Sequence, residues 1–201
     1  MPKVKVPRKS TFVDMTAMCD VASLLLTFFI LTSNFTQKEP VLVTTPASIS
    51  QIKIPDINVM QILIGKDGKI FFGIDGNTKR VELLEKVGEH YNLKFTPDEK
   101  KRFGVINSFG VPIGALKSYI SMKPENRDKP DSNPGMPIDS LNNQFKIWVQ
   151  YARSVNPIIT ITIKADSGTP FPVIKRVLDT MNELEAYKFN LITALEDEPK
   201  I

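Results

Sequence analysis

The N-terminal part of the chain constrains its fold most, because a long apolar run follows a basic tail there. Residues 1–13 carry four basic side chains and no acidic one: Lys3, Lys5, Arg8 and Lys9. From residue 17 to about residue 35, leucine, isoleucine and phenylalanine dominate. A bilayer has a hydrocarbon core of ~30 Å that takes roughly 20 helical residues. We therefore predict a transmembrane helix over 14–35, and since positive residues stay in the cytoplasm, a cytoplasmic tail over 1–13.

A cleaved secretory signal peptide is the alternative explanation of such a run. Residues 32–37, which follow the most apolar part, offer no cleavage site made of small residues. The run also contains the carboxylate of Asp20, which a signal peptide does not need. These features favour an uncleaved anchor, with the rest of the chain on the far side of the membrane.

Asp20 is the most informative residue in the apolar run. A charged side chain at membrane depth costs about 2.5–3.5 kcal/mol on insertion scales, and it usually faces protein or water rather than lipid. At ~100° per residue, its polar neighbours fall on one narrow stripe of the helix: Thr16, Ser23 and Thr27. Hydroxyl groups can hydrogen-bond either protonation state of a carboxyl group. The stripe predicts a proton carrier at Asp20; a carboxylate that simply reaches cytoplasmic water is the alternative.

The residues around Asp20 resemble the membrane segment of the ExbD/TolR family of biopolymer transport proteins. The matching runs are 14–21 and 24–29. The family pattern places a threonine four residues before a single intramembrane aspartate, and Thr16 and Asp20 occupy these positions. One departure is Ala17, which stands where the family usually has proline. This departure straightens the entry into the helix and leaves the carboxylate untouched.

A second match lies near the other end of the chain, where residues 161–166 read Ile-Thr-Ile-Lys-Ala-Asp. Together with Phe171, residues 177–179 and Leu184, this run resembles the strand, Ala-Asp turn and helix of the family. The resemblance covers about residues 8–80 and 140–195. Residues 92–140 have no counterpart in the compact family pattern, so we expect a helical insertion there.

The resemblance implies a non-enzymatic subunit of a proton-driven motor in the inner membrane of a Gram-negative bacterium. Proteins of this family pair as homodimers inside a ring of a multi-span partner, ExbB or a relative. The intramembrane aspartate takes up and releases protons, and the work reaches a TonB-like protein and then outer-membrane transporters. Two alternatives stay open: a TolR-like subunit of a cell-envelope motor, and a membrane-tethered periplasmic scaffold without a proton role.

Residues 36–56 are expected to form a periplasmic linker. They contain three prolines among many threonine, serine and isoleucine residues, a composition that suits an extended tether better than a helix. Within them, residues 42–48 resemble the short segment that follows the membrane helix in this family. That segment either contacts partner subunits or is a plain spacer; the candidate contact residues are Leu42, Val43, Pro46 and Ala47.

Residues 57–198 are predicted to form a small periplasmic α/β domain with two layers. Residues 57–64 and 70–74 have the pattern of two strands, and the Gly-Lys-Asp-Gly-Lys sequence between them predicts a hairpin turn. Apolar periodicity and capping residues predict five helices, over 78–91, from a capping box at 96–99, over 112–122, over 139–153 and from 169 to about 187. Two further strands are predicted over 158–164 and 189–195. Residues 124–137 are predicted to form a proline-rich loop.

Composition restricts the classes of function. The chain has 26 basic and 22 acidic residues, a net charge of +4, which is too mild and dispersed for a nucleic-acid-binding protein. A single cysteine and a single histidine, Cys19 and His90, argue against a disulfide scaffold and a Cys/His metal centre. We expect no cofactor and no metal site.

One short run resembles a catalytic turn. Asp166, Ser167 and Gly168 follow a predicted strand and precede a predicted helix. No histidine or second carboxylate stands nearby in the sequence, so we interpret residues 166–169 as a turn with a helix cap.

Overall fold

The chain divides into two units, residues 1–37 and residues 38–201. Each unit is considered by itself. The computed structural model describes residues 15–33, 43–45, 47–48, 57–127, 129–139, 142–192 and 194–195.

The first unit contains helix α1, Met15–Thr32. Its 18 residues span ~27 Å at 1.5 Å per residue. All its side chains are exposed within the chain, and a helix that is apolar on nearly every face needs a membrane or partner helices to cover it. Within the described residues, α1 is the one helix long and apolar enough to cross a membrane. The predicted apolar helix is confirmed over Met15–Thr32; residues 14, 34 and 35 of the predicted range lie outside the described residues.

The second unit is built on a mixed four-stranded sheet with the order β3-β2-β6-β7. The two inner neighbours, β2 and β6, are parallel, and β7 is parallel to β6. A separate parallel pair of two residues each joins β1 to β8, and an antiparallel pair joins β4 to β5. The strands are β1 Ala47–Ser48, β2 Val59–Ile64, β3 Ile70–Ile74, β4 Ile138–Asp139, β5 Asn142–Asn143, β6 Thr160–Ala165, β7 Phe189–Ile192 and β8 Ala194–Leu195.

The predicted hairpin is confirmed. Strands β2 and β3 pair antiparallel, with Ile64 opposite Ile70. The turn closes through Gly65, whose N–H group donates to the carbonyl of Lys69 at 2.9 Å. Gly68 has a φ of 74°, a left-handed conformation that glycine adopts without the steric cost of a side chain. The turn residues and the strand pattern therefore predict the same hairpin that the structure has.

The helices of the second unit also follow the sequence pattern closely. The predicted capping box is confirmed at α3, where Thr96 and Glu99 exchange side-chain and main-chain hydrogen bonds. A 3₁₀ turn, Ile113–Ala115, precedes α4. The helices are α2 Asn77–His90, α3 Pro97–Gly104, α4 Leu116–Ser121, α5 Pro124–Arg127, α6 Gln144–Val155 and α7 Phe171–Glu183. A mixed α/β domain is therefore confirmed.

Three local predictions are wrong in detail. The proline-rich loop over 124–137 contains the short helix α5 and a 3₁₀ turn, Pro130–Ser132. The helix predicted from residue 139 begins only at α6, because the side chain of Asn143 accepts the N–H group of Lys146 and caps the helix there. The helix cap predicted within 166–169 is absent, since α7 starts after Pro170, which has no side-chain acceptor.

A cluster of four aromatic rings joins the sheet to the helices. Phe72 of β3 and Trp148 of α6 are fully buried, with ring centroids 6.0 Å apart. Phe103 and Phe109 pack against the same indole, at 6.2 and 4.8 Å. Edge-to-face and offset rings at such distances attract each other beyond their area burial. Residues 92–140 thus supply two of the four rings and are part of the core.

The same segment closes the outer edge of β3. Phe72 and Phe109 exchange main-chain hydrogen bonds of 2.8 and 2.9 Å, as neighbouring strands do. The carbonyl oxygen of Asn107 lies where a Cβ at Gly73 would stand, at 2.1 Å. Only glycine at position 73 allows this approach. An exposed strand edge invites pairing with other chains, and the segment removes that hazard on this side of the sheet.

Buried polar side chains hold the part of this segment that borders β3 at its two ends, Gly104 and Ile113. The guanidinium of Arg80 in α2 donates to the carbonyl of Gly104 at 2.9 Å. The amide oxygen of Gln144 accepts the N–H group of Ile113 at 2.8 Å. Burial lowers the pKa of Arg80, an effect that the nearby carboxylate of Asp75 opposes. Main-chain groups that would otherwise be buried without partners are satisfied in this way.

Replacement of Gly73 by alanine tests this packing. We expect Gly73→Ala to lower the free energy of unfolding by about 2–3 kcal/mol, because its Cβ must displace a main-chain carbonyl in a packed region. Gly114→Ala is the matched control, since nothing lies within 4 Å of its added methyl group, and we expect a change below ~0.5 kcal/mol. Denaturant unfolding of the full chain in detergent measures both. Equal effects would show that residues 105–111 do not press on β3.

Candidate functional site

Asp20 lies near the N-terminal end of α1. At 1.5 Å per residue, it is about 8 Å along the axis from Met15 and about 18 Å from Thr32. Its side chain is exposed within the chain. The carboxylate makes no hydrogen bond or ion pair with any described residue. Its partners must therefore come from outside the described part of the chain.

The stripe hydroxyls differ in how they are engaged. The hydroxyl of Thr27 donates to the carbonyls of Ser23 and Leu24 at 3.0 and 2.9 Å, so its proton is used within its own helix. The hydroxyl of Ser23 makes no hydrogen bond to a described residue. Ser23 stands three residues after Asp20 and Thr16 four before it, spacings that share one helix face. Ser23 is thus the stripe hydroxyl most available to the carboxylate.

The other faces of α1 are apolar. Their large side chains are each more than half exposed within the chain: Leu24, Leu25, Leu26, Phe28, Phe29, Ile30 and Leu31. One narrow polar stripe on a surface of this kind cannot face lipid cheaply. The geometry favours lipid on the apolar faces and protein or water along the stripe.

The linker residues expected to contact partners lie in the second unit where they are described. Val43 is half-buried, and Ala47 pairs with Ala194 in the short parallel pair of β1 and β8. Leu42 and Pro46 lie outside the described residues. Contact of this segment with partner subunits stays a prediction.

Asp166 has a role that the sequence did not reveal. One carboxylate oxygen accepts the N–H group of Gly168 at 2.8 Å, which confirms the predicted turn. The other accepts the N–H group of Thr44 at 2.8 Å, and the N–H group of Ser167 donates back to the carbonyl of Thr44 at 2.9 Å. Thr44 stands 122 residues away in sequence, and no local signal announces such a pairing.

Hydrogen bonds fix the charge state of Asp166. The N–H group of Gly168, then that of Thr44, lower the pKa of its carboxyl group, and Lys66 adds to the effect. Because this pKa is lowered on folding, the two bonds persist as pH falls below the ordinary carboxyl range, and they are lost only as pH passes through the lowered value. Main-chain donors occupy both oxygens, an arrangement of structural rather than acid–base chemistry.

Insertion into a membrane tests the position of Asp20. We expect Asp20→Leu to make insertion of α1 more favourable by about 1–3 kcal/mol, because a charge near the end of a span costs less than one at its centre. Cys19→Leu, one position away on a different face, is the matched control. A translocon insertion assay on the full chain measures both. A shift no larger than that of Cys19→Leu would place the carboxylate in cytoplasmic water.

Comparisons with curated proteins and with solved structures give no match. A family model described as "Biopolymer transport protein ExbD/TolR" matches residues 7–196, which include α1, the four-stranded sheet and the described helices α2 to α7. The matched range includes residues 92–140, and the insertion that we expected there stays a prediction. The chain therefore belongs to the ExbD/TolR family of biopolymer transport proteins.

Proposed function

We propose that the chain is an ExbD-like subunit of an inner-membrane proton channel or motor. An ExbB-like multi-span ring would surround it, and the proton motive force would energise TonB-dependent outer-membrane transport through a TonB-like partner. Membership in the family supports an energising role in biopolymer transport. The observation that carries the finer proposal is Asp20, a single carboxylate on an otherwise apolar helix, with the hydroxyl of Ser23 on the same face.

Topology follows from charge. Residues 1–13, which precede α1, carry four basic side chains and no acidic one, so the N-terminal tail stays in the cytoplasm and the α/β domain lies in the periplasm. A single copy of α1 would expose its polar stripe to lipid. Two copies with their stripes facing each other, enclosed by a ring of other helices, remove that cost. This arrangement supports a homodimer inside the ring.

The proton step is a change of charge on Asp20. A proton that enters from the periplasmic side neutralises the carboxylate, and the neutral side chain tolerates apolar surroundings that the charged form does not. Release follows where the carboxylate reaches cytoplasmic water, which the position near the N-terminal end of α1 favours. Each cycle thus moves α1 between two environments relative to the ring.

Magnitudes agree with this step. One elementary charge that crosses the membrane potential yields ~2.3 kcal/mol per 100 mV, and a carboxylate near the end of a span costs about 1–3 kcal/mol, less than the value of about 2.5–3.5 kcal/mol at the centre. The two energies are similar in size. Protonation of Asp20 is therefore sufficient to reverse the preference of α1 for a wet or a dry environment, and repeated steps can perform work without a nucleotide.

Asp20→Asn tests the proton role. Asparagine keeps the size and much of the hydrogen bonding but cannot cycle a proton, so we expect proton flux through the reconstituted complex to fall at least about tenfold, toward the lipid background. Cys19→Ala is the matched control and should keep full flux. In the source cell, the same pair is scored for growth on an iron chelate or vitamin that needs outer-membrane import. Both variants must co-purify with the ring; full flux in Asp20→Asn would refute the proposal.

A comparison of the hydroxyl groups of Ser23 and Thr27 gives a finer test. We expect Ser23→Ala to slow proton flux more than Thr27→Val, by roughly three- to tenfold, because a hydrogen bond to a charged group contributes about 1.5–3 kcal/mol in full and less when water replaces it. Thr27 already donates to its own helix, and valine keeps its shape. Stopped-flow flux with a pH-sensitive dye compares the two. The reverse order would contradict the assignment of Ser23.

A TolR-like role in a cell-envelope motor is the second candidate, since the matching family model covers ExbD and TolR together. Binding of the full chain to purified cell wall, together with detergent sensitivity of a deletion strain, would favour it over nutrient import. A tethered scaffold without a proton role is the third. Wild-type growth of Asp20→Asn with no proton flux through the wild-type complex would favour the scaffold.

A further inference from the structure

Asp166 and Ser167 bind the linker at Thr44, of which only main-chain atoms take part. Its carboxylate accepts the N–H group of Thr44, and the carbonyl of Thr44 accepts the N–H group of Ser167. The side chain of Thr44 is exposed and takes no part in these bonds. A main-chain N–H group at residue 44 and a carboxylate at residue 166 are therefore sufficient to hold Thr44 in place.

A second contact continues the first. Three residues after Thr44, strand β1 pairs with β8, so that Ala47 lies beside Ala194 and Ser48 beside Leu195. The linker residues thus run from the turn that follows β6 onto the strand that continues β7. Both contacts belong to the second unit.

We propose that Asp166 is a latch, which fastens Thr44 and strand β1 to the end of the sheet and thereby limits how far the α/β domain can move from α1. The latch consists of two reciprocal bonds, of which the one from Thr44 to Asp166 is exposed, and a two-residue strand pair. Such a contact lies at the low-stability end of a structure and opens without unfolding the core.

The length of the extended chain sets how much the latch can restrict the distance between α1 and the α/β domain. A fully extended chain spans at most ~3.3–3.6 Å per residue, so Thr44 lies within about 43 Å of Thr32. With the latch open, the limit on the distance from Thr32 to the first sheet residue, Val59, is about 97 Å. The reach argument rests on the proposed anchoring of α1 in the membrane; the latch itself does not.

Four variants separate the latch from general stability. Asp166→Asn leaves one acceptor for two donors, and Thr44→Pro removes the N–H group that Asp166 accepts. Thr44→Ala keeps that N–H group, and Asp179→Asn removes an exposed carboxylate on α7; these two are the matched controls. Because the first two changes break the same bond, their combined effect should be smaller than the sum of their separate effects.

Hydrogen exchange of the full chain in lipid nanodiscs measures opening of the latch, which exposes the amide of Ser167. We expect its exchange to rise at least about tenfold in Asp166→Asn and Thr44→Pro, with no change in either control and none in β2 or β6. Unchanged exchange at Ser167 would overturn the proposal. Faster exchange throughout the sheet would also overturn it, since Asp166 would then act on the stability of the whole domain.

Distances between two spin labels measure how far the α/β domain can move from α1. Labels at Ser33 and Lys175, both exposed, are placed in a Cys19→Ala background and diluted with unlabelled chain. We expect the distance distribution to extend to longer values in Thr44→Pro than in Thr44→Ala; identical distributions would overturn the reach. Neither readout depends on the proton role of Asp20, so a failure of the motor proposal and a failure of the latch are distinguishable.

Discussion

A single carboxylate on a mainly apolar helix is the constraint on which the proposed function of this chain depends. Asp20 makes no hydrogen bond or ion pair with any described residue, and α1 has no buried side chain. A helix of this kind is incomplete by itself, because lipid satisfies its apolar faces and leaves the charge without a partner. In the proposed function, other helices cover this surface, and the charge state of Asp20 controls where α1 lies.

The second unit meets the opposite requirement, since it must hold its shape outside the membrane segment. Four strands, the aromatic cluster around Trp148 and the closed edge of β3 give it a continuous core. Residues 92–140 contribute Phe103 and Phe109 to that core. In the proposals above, a domain with such packing moves as a body, and the linker contact at Asp166 opens without unfolding the core.

Interactions between residues close in sequence made much of the fold predictable. The hairpin turn at Gly65 and the capping box at Thr96 are each decided by residues within a few positions of one another. Predictions failed where distant or competing groups decide: Asn143 caps α6 later than periodicity indicates, and Phe109 pairs with Phe72 across a long stretch of sequence. The bond between Asp166 and Thr44 spans 122 residues. For the candidate site, periodicity placed Asp20 and Ser23 on one face, but it could not show that Thr27 donates to its own helix.

The central claim is that Asp20 changes protonation during the working cycle. Infrared difference spectroscopy on the complex with its ring partner in lipid, with and without a proton gradient, measures this directly. The account predicts a carbonyl band of a protonated carboxyl group that appears with the gradient, shifts in deuterium oxide and is absent in Asp20→Asn. A spectrum that is the same in the wild type and in Asp20→Asn would contradict it.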